Sequence, residues 1–247
     1  MARLLDQFRE EPHPCSYLPD EAASLDVRVA LDVSAEELGR LLALGWRRFG
    51  PHYFRPACDR CQACVPTRVP VATFRPSASQ RRARNQAVHL ERIVQPPRVD
   101  RERLDLYGRW HRHREQQRGW EPSALDEERY AIEFAFPHPS VREVTFRDLG
   151  HRLVGLGIVD EVPDALSAVY FFWDPEHAPP SLGTAHVIGL IDDAAARGLA
   201  HVYLGYRVDG CPSLAYKGRF QPQESLVGRP SDDEPSSWIT GSLMAQE

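Results

Sequence analysis

Lysine is almost missing from this chain: of 30 basic side chains in 247 residues, 29 are arginine and Lys217 stands alone. Long apolar runs are missing as well. No stretch approaches the roughly 18 apolar residues that a membrane span requires, and the opening MARLLDQFREEPHPC carries charges where a signal peptide has an apolar segment. We therefore expect a cytosolic protein without a membrane partner. Cysteine is sparse, with five residues, and in a reducing compartment these are read as thiols or metal ligands before disulfides. With 42% hydrophobic and 26% charged residues, disorder and fibrous architectures are excluded, and the length allows one large domain or two ordinary ones.

What is present is unevenly placed. The net charge of -5 hides a stretch from Arg47 to Arg118 with 17 arginines against 6 acidic residues, a local balance of +11, while the remainder carries -16. Phe49, Tyr53, Phe54, Phe74, Tyr107 and Trp110 interleave with those arginines, a mixture suited to phosphates and stacked bases. The alternative is a solvated arginine face. The lone lysine suggests a position that needs a compact ammonium, able to donate in three directions and to lose its proton when desolvated; otherwise it is one surface lysine left by chance. Cys58-x2-Cys61-x2-Cys64 has the spacing of thiolate ligands for zinc or an iron–sulfur cluster, with Cys15 as candidate fourth ligand. Reduced, packed thiols beside a substrate site are the other reading.

Two units are expected, residues 14–95 and 100–228, joined near Gln95-Pro-Pro97, with a mobile acidic tail over 229–247. In the first, Leu25 to Val33 alternates as a half-buried strand. Ser34 and Glu37 form a capping box for a helix ended by Gly50-Pro51, and Arg68 to Phe74 reads as a strand that Pro70 confines to a sheet edge. Ser77 or Ser79 caps a short helix bearing Gln80, Arg81 and Arg82. A helix over Asp100 to Gln117 opens the second unit, followed by strands in Val141–Asp148, Leu153–Asp160 and Ala168–Trp173, a helix ending near Gly198, and the strand His201–Val208. A meander, then a helix, then a strand is the layout of an α/β (α+β) acyltransferase sheet.

Six segments stand together in order: Cys15-Ser-Tyr-Leu-Pro19, Cys58 to Val69 with the cysteine triplet and Arg68, Ser79-Gln-Arg-Arg82, Tyr170 to Pro175, Ser181-Leu-Gly-Thr184, and Tyr203-Leu-Gly-Tyr206 with Cys211-Pro212 and Tyr216-Lys217. As a set, from about Pro14 to Val227, they resemble the aminoacyl-tRNA–protein transferases, most closely their bacterial leucyl-transferring branch. The resemblance implies a GNAT-like catalytic domain with an N-terminal Cys-containing α/β domain packed against it. It implies transfer of leucine from leucyl-tRNA to an N-terminal Asp or Glu, which marks the acceptor for N-degron proteolysis, with charged tRNA and acidic-ended proteins as partners. Arginyl transfer is the nearest rival, and a noncatalytic RNA-binding or metal-sensing module a more distant one. On the matching positions, Lys217 is assigned to carboxylate recognition or transition-state charge, Tyr206 to orientation or proton relay, and Tyr170 and Tyr216 to substrate contact. Arg68, Gln80, Arg81 and Arg82 are assigned to the acceptor end of tRNA or the acidic residue, and Ser181, Gly183 and Thr184 to the terminal adenosine. Asp174 is the acidic base candidate, its rival role being an Asp-Pro turn. Glu115 follows Arg114 where the family usually has Arg-His, a departure that bears on specificity.

The chemistry itself needs no cofactor. The aminoacyl ester is already activated, and the acceptor amine, with a pKa of about 7.7–8.0, is partly neutral at cytosolic pH. Holding the two in near-attack geometry can supply roughly 7–11 kcal/mol, leaving an oxyanion to stabilise and a proton to remove. Nothing in the sequence bears on oligomeric state.

Overall fold

A computed structural model describes residues 2–118 and 126–241. The N-terminal third holds β1 (Arg3–Arg9), β2 (His13–Pro14), β3 (Ala22–Ala23), β4 (Leu25–Leu31), α1 (Ala35–Ala43), β5 (Arg47–Phe49) and β6 (His52–Pro56). Four of these strands form an antiparallel sheet in the order β1-β4-β6-β5, and β2 pairs with β3. The capping box is present: the Glu37 N–H donates to Ser34 Oγ at 3.2 Å and the Ser34 N–H to the Glu37 carboxylate at 2.9 Å. The helix stops sooner than its sequence suggests. Gly45, at φ 85°, takes the left-handed turn just past Leu44, and Gly50-Pro51 instead turns β5 into β6.

The rest of the chain supplies β7 (Val65–Pro70), α2 (Ala78–Gln86), β8 (Glu91–Gln95), α3 (Arg101–Arg118), α4 (Glu127–Phe134), β9 (Val141–Arg147), β10 (Leu153–Val162), β11 (Ala165–Trp173), α5 (Leu182–Ala196), β12 (His201–Arg207), α6 (Pro212–Ala215) with a 3-10 turn over Tyr216–Arg219, β13 (Glu224–Leu226) and β14 (Trp238–Thr240). Eight strands form one sheet in the order β14-β13-β7-β12-β11-β10-β9-β8. The break expected near residues 96–100 falls between β8 and α3, yet β7 and β8 belong to the same sheet as the strands that follow.

Two expectations fail here. β7 is an interior strand, paired with β12 on one side and β13 on the other, because the β13 pairing uses only Thr67 and Arg68 and leaves Pro66 and Pro70 outside that ladder. From Arg229 onward the chain is not uniformly loose: β14 pairs with β13, and the Trp238 indole N–H donates to Ala43 O at 3.1 Å. Residues 242–247 of that tail lie outside the described residues.

β9, β10 and β11 are the antiparallel meander expected, and α5 carries the chain back so that β12 runs parallel to β11. One face of the sheet packs on α5 and α2 through Val144, Val154, Leu182, Ile188 and Ile191; the other packs on α3 and α4 through Leu106, Tyr130, Leu156, Ile158 and Phe172. Alternation along β10 explains the asymmetry: Leu156 and Ile158 fill one face, while Gly157 leaves the other bare so that α5 can close on it. A Cβ at Gly157 would sit 2.4 Å from His186 Cε1, and the His186 ring stacks on Phe171 at 4.6 Å between centroids. This buried imidazole is held near a pKa of 3 by burial and by the Arg92 charge, so it is packing, not chemistry.

Candidate active site

β11 and β12 pair only through Ala165–Ser167 and His201–Tyr203. Both strands continue, to Trp173 and Arg207, so the sheet is open between their C-terminal ends. Crevices at the carboxyl ends of parallel strands, where connections diverge, are the recurrent ligand sites of α/β sheets. α5 starts at the mouth of this one. Ser181 is left-handed (φ 62°) and its side chain makes no cap bond; the Thr184 N–H already donates to Ser181 O at 2.9 Å, so the amides of Leu182 and Gly183 are the ones without an intrahelical acceptor. Gly183 and Thr184 lie in that first turn.

On the β12 wall, Lys217 Nζ donates to Tyr206 O at 2.9 Å. Burial, and after it the Arg47 guanidinium, pulls the Lys217 pKa from its usual alkaline range to about 7. The backbone beneath it is fixed: Gln223 Nε2 donates to Lys217 O at 2.8 Å, and Arg207 Nη1 donates to Gln223 Oε1 at 3.0 Å, with Gln223 and Arg207 both buried. Gly205 lies against Lys217 and Arg47. It sits at a β-bulge with φ 81°, and a Cβ there would lie 3.3 Å from Lys217 Nζ and 3.9 Å from Arg47 Nε. Glycine is required for the left-handed backbone and for the space.

The Tyr206 hydroxyl donates to Gly45 O at 2.8 Å and lies 3.2 Å from Phe54 O, and burial drives its pKa up. That commits it to orientation and removes the relay role. Asp174 is likewise engaged. Its Oδ1 accepts the N–H groups of Glu176 (3.0 Å) and His177 (3.2 Å), and its Oδ2 accepts Arg109 Nε at 3.1 Å. Burial pushes its pKa up, but these bonds outweigh it and hold the carboxylate below the usual range. The Asp-Pro turn is the role this geometry supports.

Arg68 pairs with Glu224 at 2.6 Å and stacks on Trp238, and Gln80 is 4% exposed, closing the α2 capping box with Ser77 and donating to Arg219 O at 3.1 Å. Gln80 thus ties α2 to the turn that carries Lys217. Arg81 and Arg82 are exposed on α2. Tyr216 is exposed beside Lys217, whereas Tyr170 stacks on Phe134 at 5.2 Å and meets Phe49 edge-on at 5.8 Å. These rings, with Phe54, wall a cavity of about 610 Å3 whose rim carries Asp126, Glu128 and Glu133. Much of the basic stretch is internally balanced: Arg48 pairs with Asp160, Arg55 with Asp26, Arg92 with Asp193, Arg103 with Glu143 and Arg109 with Asp174. The +11 field is therefore partly absorbed by carboxylates from elsewhere in the chain.

Cys64 feels the negative charges of Cys58, Cys15 and Cys61, so these thiols lie near one another, and burial pushes the Cys64 thiol up to about 12. Arg229 donates to the carbonyls of Cys58 (2.8 Å) and Cys61 (2.7 Å), pinning the loop. Among the described residues no group of three or more His, Cys, Asp or Glu is arranged to hold a metal ion. No step is routed through a metal at Cys15, Cys58, Cys61 and Cys64.

Arg47 was hidden in the sequence, since nothing there separates it from Arg48. Gly205 was better marked: a glycine between two tyrosines in a strand points to a bulge or a close approach.

The open sheet with a helix starting at its mouth is the arrangement of a GNAT-like α/β acyltransferase. Models of the arginine-tRNA-protein transferase family match at residues 13–82 (N terminus) and 102–227 (C terminus). The chain is 38% identical over 222 residues to an aspartate/glutamate leucyltransferase of Nitrosococcus oceani, covering 89% of this chain and 92% of that one. It is 36% identical over 236 residues to one of Pseudomonas fluorescens (94% and 95% covered) and 38% identical over 227 residues to one of Marinobacter nauticus (91% and 94%). A solved structure, that of L-PGS from Bacillus licheniformis, is similar at a TM-score of 0.49 and 14% identity over 66% of this chain and 57% of that one. The chain belongs to the arginine-tRNA-protein transferase family, the aminoacyl-tRNA–protein transferases that its motifs resemble.

Proposed function

We propose that this enzyme transfers leucine from leucyl-tRNA to the N-terminal Asp or Glu of acceptor proteins by direct attack of the acceptor α-amine on the aminoacyl ester, in the cytoplasm where charged tRNA is made. The observation that carries the reading is Lys217, the lone lysine, bound to Tyr206 O of β12 at 2.9 Å with its pKa lowered to about 7, in a chain similar to proteins named for this activity.

Each part of the site has a task in this scheme. The amides of Leu182 and Gly183 at the start of α5 face the tRNA end, and the aromatic cavity takes the leucyl side chain, its acidic rim favouring the α-ammonium beside it. Lys217, in its neutral form, accepts the proton that the attacking amine sheds. As the tetrahedral centre collapses, the C–O bond to the ribose breaks and the amide remains on the acceptor; the ribose oxygen leaves with a proton. Arg81 and Arg82 contact tRNA phosphates.

Purified protein incubated with an Asp-peptide and, separately, leucyl- or arginyl-charged tRNA tests the reading. Transfer of leucine alone is expected; arginine transfer would reassign the donor, and binding without transfer would leave only an RNA-binding module. Replacing Arg81 and Arg82 by Ala should weaken tRNA binding and reduce the slope of log K against log salt by about 0.7–0.9 for each phosphate no longer neutralised. Unchanged tRNA affinity with a relaxed need for an acidic acceptor would place these arginines on the peptide. Elemental analysis of anaerobically prepared, active protein reads the cysteines directly, full activity without metal assigning them to packing.

A further inference from the structure

Among the described residues four arginines are buried, Arg47, Arg48, Arg103 and Arg207, and three of them have carboxylate partners: Asp160, Glu143 and Asp209. Arg47 differs. It is 7% exposed, its Nη1 donates to the carbonyls of Trp46 (2.6 Å) and Leu42 (3.4 Å), and its Nε and Nη2 have no partner. Among the described residues it makes no ion pair. Its guanidinium carbon lies instead over the rings of Tyr203 at 5.3 Å and Tyr206 at 5.5 Å. A buried cation without an anion is strongly disfavoured, and two buried donors left open add to that.

The open donors have a shape. Nε and Nη2 share one edge of the guanidinium plane, the edge that grips both oxygens of a carboxylate in a bidentate pair. Arg47 Nε and Lys217 Nζ converge on Gly205, where a Cβ would lie 3.9 Å from the first and 3.3 Å from the second. We propose that Arg47 is the receptor for the side-chain carboxylate of the acceptor's N-terminal residue, selecting Asp and Glu and setting the α-amine of that residue beside Lys217. This rests on the transfer reaction proposed above and names the group that chooses its acceptor. A phosphate of the tRNA is the competing anion, and an Asn-ended acceptor separates the two: it leaves every phosphate in place and removes only the carboxylate.

The test compares transfer from leucyl-tRNA to two peptides that differ only in an N-terminal Asp or Asn. In the unaltered protein kcat/KM favours Asp. Arg47→Met should lower kcat/KM for Asp about a hundredfold more than for Asn, so that the preference collapses; the common loss from the Lys217 pKa moving back up should appear with both peptides as a shift of the pH profile to higher pH, and the Kd for leucyl-tRNA should not move. Arg47→Lys should restore part of the preference. A folded Arg47→Met protein that keeps the original Asp/Asn ratio, or that loses tRNA affinity instead, overturns the proposal. Should Arg47→Met not fold, the unaltered protein decides: without tRNA, the Asp-peptide should raise its melting temperature and the Asn-peptide should not, and equal shifts overturn the assignment. Absence of transfer by the unaltered protein to any peptide counts against the reaction, while the melting-temperature arm still reads Arg47.

Discussion

Lys217→Arg lowers kcat for leucyl transfer by about 10²- to 10⁴-fold, the range a positioned base contributes, while tRNA affinity stays close to that of the parent and the protein remains folded. The substitution keeps the positive charge and removes what an arginine cannot do, which is to give up its proton near neutrality. Burial and the neighbouring Arg47 bring the Lys217 pKa to about 7, so a large fraction of the enzyme carries a neutral amine at cytosolic pH. Activity should therefore rise with pH through about 7 as the ammonium loses its proton. The acceptor amine contributes its own limb near 7.7–8.0, so the informative quantity is the difference between parent and variant assayed with one peptide: the lower limb should vanish in Lys217→Arg and the upper one remain.

Stability carries the same signature with a definite sign. The folded-state pKa of Lys217 lies below its unfolded value, so between about 7 and 10.5 the unfolded chain holds a proton that the native one lacks, and stability rises with pH across that window. Lys217 is only partly shielded from solvent, which keeps the slope well below its full value of about 1.4 kcal/mol per pH unit. Parental turnover and an unchanged pH profile in Lys217→Arg would end the case for an ammonium-specific role.

Much of this fold was legible because local signals agreed with tertiary ones. Ser34 with Glu37 and Ser77 with Gln80 announce their helices, and the meander of β9–β11 follows from alternation between turn residues. β7 was misread because Pro70 excludes a ladder hydrogen bond only at its own position, and the partner strand β13 is too short to demand one there. In the site, Lys217 stood out by composition. Asp174 and Tyr206 were picked by residue type, and type says nothing about whether a polar group is already occupied; four hydrogen-bonding groups around Asp174, drawn from Arg109 and from the turn after it, settle that in three dimensions. Arg47 is the converse case, an arginine that matters because its partners are missing, which no one-dimensional pattern records.

Asp160→Ala is the second large effect, this time on stability. Asp160 and Arg48 are 1% and 4% exposed at their side chains, and the carboxylate receives two bonds, from Arg48 Nε at 3.0 Å and from Arg48 Nη2. The pair joins β5 of the small sheet to β10 of the large one, and Arg48 Nη1 donates to Gly50 O at 3.1 Å, fixing the turn into β6. Removing the carboxylate strands a guanidinium where water cannot reach it, which costs about 3–5 kcal/mol. Urea titration should show the midpoint falling with little change in slope. Function should fall with it, because Arg47 and Phe49 flank Arg48 on the same three-residue strand, so a loosened β5 misplaces both the basic pocket and the cavity wall. Replacing the pair together, Arg48→Met with Asp160→Leu, should recover most of the lost stability, since apolar side chains of similar volume tolerate burial at least as well as an ion pair. If Asp160→Ala alone unfolds at the parental urea concentration, the two sheets are held by their apolar packing and the ion pair contributes nothing to joining them.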